Sequence, residues 1–457
     1  MSDPASLIPR PAGMPQPAGG QAIPATLRWP GAGPFWLAIV LTGIGTGLAA
    51  VALTKLLEVV QHLVWSGSGT NLLDAAEHAG AWRHILVLLA AGVVTGLGQI
   101  ALKKVSSANG IDTTAAIWFH AGRMPAIRTL GSAVLSVIIV GMGVSLGREG
   151  APKQAGAVIA NFFSDRGRLS DEQRRLLVAC GSGAGMAAAY GVPLGGALFA
   201  LEVMRGVLAL RYVLPALFAS VIAAAVSWVA LPDAPTYLIP AYVGSASSVV
   251  WALLAGPVAG VVSVGYVRLI TWAYRNKPEG WRRLTLPLVV LGMLGVVSIR
   301  FPELLGNGKD ISQLAFTNGA APGLLLALLL LKPAATVLCV RCGAPGGLFT
   351  PSLTVGALLG AVLGHAWSWA WPGVPPGLFA LLGASAVLAA TTQGPISTVV
   401  LMMELTGRDR SFIVPMLLAV ASATLVARTI EPRSIYDARL TDDEVEARRK
   451  ARELPGT

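Results

Sequence analysis

The sequence predicts an all-α polytopic membrane protein built from two similar halves, with many tilted and broken helices. Three observations predict this fold. The chain is 54% hydrophobic and 12% charged, whereas soluble domains carry roughly a quarter charged residues. Apolar stretches of spanning length recur between residues 34 and 427. A set of glycine, proline and glutamate landmarks also occurs twice, about two hundred residues apart.

Roughly ten to twelve segments approach the length of about 20 apolar residues that a membrane helix needs. Several are too short or too rich in glycine to cross cleanly, which predicts bent and broken helices. The 53 glycines and 30 prolines also predict close helix packing through small residues. The clearest predicted spans are residues 36–57, 85–102, 212–229, 250–270, 324–340 and 412–426.

The predicted organisation has five parts. Residues 1–33, rich in proline, glycine and alanine, are expected to form a disordered cytoplasmic tail. Residues 34–231 and 249–430 are the two membrane repeats, and residues 232–248 link them. Residues 431–457 are expected to form a short cytoplasmic helix and tail, too short for a regulatory domain.

Charge and cysteine usage exclude several functions. The formal charge of +11 does not predict nucleic-acid binding, because basic residues cluster in short loops, as the positive-inside rule expects. Cys180, Cys339 and Cys342 lie in apolar surroundings without a second cysteine pair, which predicts free thiols and no metal site. No nucleophile elbow, zinc-binding helix motif or paired aspartates within a span points to an enzyme or to a cofactor.

The repeated landmarks are the best pointer to function. Broken helices from two such halves commonly meet near the bilayer midplane and form the central site of a transporter. The repeated pairs are Asn109-Gly110-Ile111-Asp112 with Asn307-Gly308-Lys309-Asp310, Gly156-Ala157 with Gly356-Ala357, and Gly181, Pro193 and Glu202 with Gly383, Pro395 and Glu404.

Two glycine-rich interruptions, residues 143–152 and 343–351, carry the predicted chemistry. Pro152 and Pro351 are well placed to open new helices, because proline in the first turn costs no hydrogen bond. A helix N-terminus presents unpaired N–H groups and roughly half a positive charge. Several such ends aimed at one point bind an anion without the full counter-charge that would hold it too tightly.

These interruptions resemble the CLC family of chloride channels and chloride/proton antiporters. The matching motifs are Gly147-Arg148-Glu149-Gly150, Gly347-Leu348-Phe349-Thr350-Pro351, and Ser434-Ile435-Tyr436 after the last span. The resemblance extends from about residue 34 to residue 440. It implies two repeats of inverted topology, one pore per subunit, a homodimer and bound chloride ions. The alanine-, arginine- and glycine-rich composition is compatible with a place in the plasma membrane of a bacterium.

By this resemblance Glu149 is the gating residue. An ionised carboxylate at a site built for anions competes with chloride for the same N–H groups, and a protonated one loses that attraction. The alternative is a salt bridge between Glu149 and a basic residue of a loop, although a charge at membrane depth is usually functional. The anion-binding residues that the resemblance implies are Asn109, Gly147, Arg148, Glu149, Gly150, Leu348, Phe349 and Tyr436.

Asn109 stands where the family usually has a serine whose hydroxyl touches the anion. Its amide has N–H donors for the same anion, but asparagine is also a common helix cap. Chloride is the expected anion, and nitrate, fluoride and bromide stay open.

Val203 occupies the position where antiporter members of the family usually place a proton-relaying glutamate. Valine carries no proton, so the sequence favours passive or weakly coupled flux, with a proton-coupled chloride or fluoride antiporter as the alternative. Glu202 is a possible substitute, but it lies roughly 100° further round the helix. Glu404 stands at the equivalent position of the second repeat, and this recurrence favours a structural role for both glutamates.

Ala151 replaces the usual proline after the first motif, and Pro152 and Lys153 follow it. Either the local helix begins a residue later, or Lys153 helps to attract anions to the entrance.

Overall fold

The computed structural model describes residues 31–65, 71–105, 112–408 and 411–453. Within these residues the chain forms eighteen α-helices and no strand, which confirms the all-α prediction. The first half contains α1 (Ala32–Trp65), α2 (Leu72–Glu77), α3 (Ala81–Val105), α4 (Thr113–Phe119), α5 (Ala126–Gly141), α6 (Gly150–Arg166), α7 (Asp171–Tyr190), α8 (Pro193–Phe199) and α9 (Leu210–Ser227). The second contains α10 (Ala246–Arg275), α11 (Arg282–Ser298), α12 (Lys309–Phe316), α13 (Pro322–Arg341), α14 (Phe349–Ala370), α15 (Pro376–Thr392), α16 (Pro395–Thr406) and α17 (Ile413–Ile430), with α18 (Asp442–Glu453) after it.

Seven of these helices are long and apolar enough to cross a membrane: α1, α3, α9, α10, α13, α14 and α17. Each of the six clearest predicted spans overlaps one of them. The repeats begin slightly earlier than predicted, because α1 starts at Ala32 and α10 at Ala246. The start of α10 is set by Ser245 and Ser248, which form a capping box.

The two halves pack in the same way. In the first half α7 packs against α6 and α9, and in the second α15 packs against α14 and α17. Added side-chain atoms on Gly156 would overlap the carbonyl of Gly181, and the same holds for Gly356 against Gly383. The duplicated glycines therefore let helix backbones approach closely inside each repeat.

The repeated glutamates cap helices of the opposite repeat. Glu404 accepts the backbone N–H groups of Leu194 and Gly195 at the start of α8, at 3.0 and 2.6 Å. Glu202 accepts the N–H groups of the second and third residues of α16, at 3.2 and 2.6 Å. Each carboxylate satisfies donors that a helix start leaves unpaired. The same contact is therefore made in both directions between the two halves.

The C-terminal helix α18 is tied to the membrane part by ion pairs. Asp442 contacts Arg275 at the end of α10 and Arg433 after α17. Hydrogen bonds from these two guanidiniums hold the pKa of Asp442 below its usual range. The contact is therefore present at neutral pH and is lost only as the pH falls through that lowered pKa.

Candidate functional site

The two glycine-rich loops meet at the centre of the molecule. Gly147 and Gly347 form an antiparallel bridge in which each N–H donates to the other carbonyl at 2.8 Å. A side-chain atom added to Gly150 would lie 2.9 Å from the Gly347 nitrogen. Glycine is needed at this crossing because the two backbones touch. The bridge brings the start of α6 against the start of α14.

The Glu149 carboxylate crosses from the first repeat to the N-terminus of α14 in the second. Its Oε1 accepts the Phe349 N–H at 2.7 Å and the Thr350 N–H at 3.3 Å. The side chain is 2% exposed. A carboxylate is stabilised there by free N–H groups and the positive end of the helix dipole. Glu149 thus occupies the kind of site that an inorganic anion would use.

Two hydroxyl groups also contact the Glu149 carboxylate, and neither was predicted from the sequence. The Tyr190 hydroxyl lies 3.2 Å from Glu149 Oε2, and the Thr350 hydroxyl lies 3.1 Å from the same oxygen. The two hydroxyls are 2.8 Å apart, and the Arg148 guanidinium lies 5.2 Å from the Tyr190 ring centroid. Thr350 was visible as the one hydroxyl in its motif, whereas nothing local in the sequence marks Tyr190.

Gly147 is among the predicted anion-binding residues, and its N–H group is already in use. The N–H donates to the Gly347 carbonyl at 2.8 Å, so it has no hydrogen left for an anion. The role of Gly147 is to join the two loops.

Other predicted donors are unpaired. Within the residues that the structure describes, the backbone N–H groups of Arg148, Glu149, Gly150 and Leu348 have no hydrogen-bond acceptor. Ala151, which the sequence analysis did not include, presents a further unpaired N–H in the first turn of α6. The start of α6 therefore retains capacity to bind an anion. Asn109, also predicted to bind the anion, lies outside the described residues.

Tyr436 lies in a short 3₁₀ segment, Ile435–Asp437, after α17. Its ring packs edge-on against Phe199 with centroids 5.5 Å apart. The Lys153 ammonium lies over the ring, 4.1 Å from its centroid. Within the described residues the Tyr436 hydroxyl has no hydrogen-bond partner.

The position of Tyr436 is held by its neighbour. Asp437 forms a buried ion pair with Arg448 of α18, and both side chains are 3% exposed. The same guanidinium donates to the Val203 carbonyl at 2.8 Å. Val203 is itself buried. Val203, which the resemblance aligns with a proton-relay position, therefore has an arginine bound to its carbonyl and no titratable side chain.

The α6 helix begins at Gly150, which makes Pro152 its third residue and Lys153 its fourth. Both prolines of the glycine-rich motifs lie in a first helical turn, since α14 begins two residues before Pro351. Lys153 is buried rather than exposed at an entrance.

The cysteines are three buried free thiols. In the described parts of the chain, no group of three or more His, Cys, Asp or Glu residues is placed to hold a metal ion.

Comparisons with known proteins agree with this architecture. The model of the family described as voltage gated chloride channel matches residues 91–428. The chain is 31% identical to a putative chloride channel protein ClcB-like of Ralstonia nicotianae, covering 87% of this chain and 94% of that protein. It is also 31% identical to chloride channel protein CLC-f of Arabidopsis thaliana, over 86% of this chain but only 54% of that protein. A third relative is the H(+)/Cl(-) exchange transporter ClcA of Vibrio parahaemolyticus, 31% identical over 65% of this chain and 66% of the transporter.

Two solved structures share the fold. A slow cyanobacterial Cl-/H+ antiporter superposes with a TM-score of 0.77 at 21% identity, covering 92% of this chain and 99% of that chain. A CLC-type fluoride/proton antiporter gives a TM-score of 0.71 at 22% identity, covering 89% and 97%. At these identities the likeness concerns the fold. The matched family model and the relatives together show that this chain belongs to the voltage-gated chloride channel (CLC) family.

Proposed function

We propose that this protein exchanges a small inorganic anion, chloride, for protons across a membrane, with Glu149 as the gate. The main support for the proposal is the position of the Glu149 carboxylate at the N-terminus of α14, where its Oε1 accepts the Phe349 N–H at 2.7 Å. A carboxylate bound by backbone N–H groups at a helix start occupies the position of the transported anion.

Exchange follows because the Glu149 carboxylate and the anion compete for the same backbone N–H groups. While ionised, Glu149 holds the N–H groups of Phe349 and Thr350 and blocks the anion. When a proton neutralises the carboxylate, its charge-assisted hydrogen bonds are lost and it leaves these N–H groups to an anion. Anion entry and proton uptake are thereby linked at one side chain.

Proton coupling is preferred here to the passive flux that Val203 suggested. Relatives at 31% identity include proteins named as H(+)/Cl(-) exchange transporters, so the alternative reading has the better support. The buried Val203 excludes a side-chain relay at that position only. Glu202 is not proposed as its substitute, because both its oxygens accept N–H groups of α16.

A positively charged cavity of about 550 Å³ supports the proposed anion path. It adjoins Gly343 and Pro345 in the second glycine-rich loop. Among its described lining residues no side chain is acidic, so the cavity raises the local anion concentration. The loop between α10 and α11 contributes to it, which favours the cytoplasmic side. Its basic residues are Lys103, Arg128, Lys277, Arg283 and Arg439.

The assembly and location are also proposals. We propose a homodimer with one anion path in each subunit, as the family resemblance implies, in the plasma membrane of a bacterium. Cross-linking of the purified protein in lipid should give a dimer, and a persistent monomer would contradict this.

Purified protein in sealed liposomes should move protons uphill when a chloride gradient is imposed, because each anion passage returns Glu149 to its proton-accepting state. Chloride efflux and internal pH are measured together, with protein-free liposomes as the control. Chloride flux without proton movement would restore the passive mechanism. Repeating the measurement with fluoride, bromide and nitrate identifies the preferred anion.

Removing the hydroxyls of Tyr190 and Thr350 should shift the pH dependence of flux. With Tyr190→Phe and Thr350→Val combined, the charged carboxylate is held less tightly, so the pH of half-maximal flux is expected to rise. Each of the two lost hydrogen bonds to the charged group, about 1.5–3 kcal/mol, corresponds to about one to two pH units.

The matched control is Tyr212→Phe, which removes a hydroxyl bonded at 2.7 Å to Glu172, outside the gate. It should leave the pH profile unchanged. Equal profiles for the wild type and the double variant would remove both hydroxyls from the gate.

A further inference from the structure

Lys153 is a buried lysine whose ammonium makes no ion pair and no hydrogen bond within the described residues. The residue is 8% exposed. Its ammonium lies over the Tyr436 ring, 4.1 Å from the ring centroid. A buried charge is costly unless it is paired. An anion bound beside Lys153 would therefore offset the free-energy cost of burying the ammonium charge.

The charged groups that face Lys153 do not supply that anion. Asp112, Arg439 and Glu149 are near enough to interact electrostatically. Asp112 is already used, because it pairs with Arg439 at 3.1 Å and accepts the Thr114 N–H at 2.9 Å. Glu149 lies on the N-terminus of α14. When Glu149 gives up its charge, this region carries a net positive charge.

The Tyr436 hydroxyl is a second unused donor at the same place. It has no partner in the described part of the chain, and the lysine lies over its ring. Two neighbouring donors without acceptors fit a small anion. The Lys153 ammonium carries a full positive charge, whereas a helix N-terminus carries only a partial one. The ammonium therefore binds an anion more tightly and slows its release.

We propose that Lys153 binds the transported anion at the Tyr436 end of the path and makes the protein a high-affinity, slow exchanger. This inference rests on the proposed function. Lys153 is one helical turn beyond Glu149 on α6, so an anion released from the gate passes to the ammonium. A structural role in packing against Tyr436 would not require a charge.

Chloride binding to the purified wild type, Lys153→Gln and Lys153→Arg is measured by calorimetry, with turnover in liposomes alongside. Lys153→Gln should weaken chloride binding about tenfold or more and raise maximal turnover. The reason is that a partly buried pair of ammonium and chloride contributes more binding free energy than an exposed ion pair does. Lys153→Arg keeps the charge and should bind within about threefold of the wild type. The control Lys55→Gln, on an exposed lysine paired with Glu58, should change neither quantity.

Binding within about twofold of the wild type in folded Lys153→Gln overturns the inference. A wild type that moves no anion would instead contradict the proposed function, so the two failures are distinct. If Lys153→Gln does not fold, bromide is soaked into wild-type crystals and its position is determined from anomalous scattering. Anomalous density within about 4 Å of Lys153 Nζ supports the inference, and density only at the start of α14 overturns it.

Discussion

Glu149→Gln is expected to abolish both proton coupling and the pH dependence of anion flux. The amide has nearly the same shape and still accepts the Phe349 N–H, but it has no charge and takes up no proton in the working pH range. Flux at neutral pH should rise about 10- to 140-fold, because a charge-assisted hydrogen bond of about 1.5–3 kcal/mol no longer holds the gate closed.

The measurement compares anion and proton fluxes of the wild type and the variant in liposomes at neutral and acidic pH. Glu58→Gln is the control, since this exposed carboxylate on α1 pairs with nearby Lys55 and lies outside the gate. Flux that keeps its dependence on pH in Glu149→Gln would show that another group gates the path. Retained proton pumping would show that a group other than Glu149 takes up the exchanged proton.

Arg448→Ala is expected to detach α18 and to disturb Tyr436. Removing one partner of a buried ion pair costs about 3–5 kcal/mol, because the other charge stays buried without compensation. Here the remaining charge would be Asp437, directly after Tyr436 in the chain, which would keep its hydrogen bonds from Ser434 but lose its counter-charge. The Val203 carbonyl would lose a donor as well. The expected result is a lower thermal midpoint, faster proteolysis after residue 430, and weaker anion binding.

Arg449→Ala is the matched control, because Arg449 is the next residue, is 57% exposed and pairs with Glu446 on the surface. Exposed pairs contribute at most about 1 kcal/mol. Equal losses in the two variants would mean that α18 contributes through its helix rather than through Arg448. The double variant Asp437→Ala with Arg448→Ala should lose less than the sum of the single variants.

Much of the central site was predictable because each part carries a local signal. The glycines of the two loops, the prolines of the first helical turns and the lone glutamate among them are unusual inside apolar sequence. Their repetition predicted that the two loops meet, as the Gly147–Gly347 bridge shows. The detailed roles were less predictable, because the N–H group of Gly147 is used in that bridge.

The residues that the prediction missed act through long-range contacts. Tyr190 is 41 residues from Glu149, and Arg448 is 245 residues from the Val203 carbonyl that it contacts. Neither pair has a periodicity or a motif, so only the packed chain reveals it. For Lys153 the sequence left two readings, and only the packed chain shows that the residue is buried with its ammonium over the ring of Tyr436.

The sequence by itself determined that this is a duplicated helical membrane protein with an acidic group at a glycine-lined crossing. Apolar composition, helix breaks and repeated landmarks are properties of the chain, and a bilayer allows few folds that satisfy their backbone groups. The tertiary structure decided which donors remain free, which hydroxyls hold Glu149 and which cation lacks a partner. Those outcomes depend on which side chains meet across helices distant in sequence, and local chemistry does not encode such meetings.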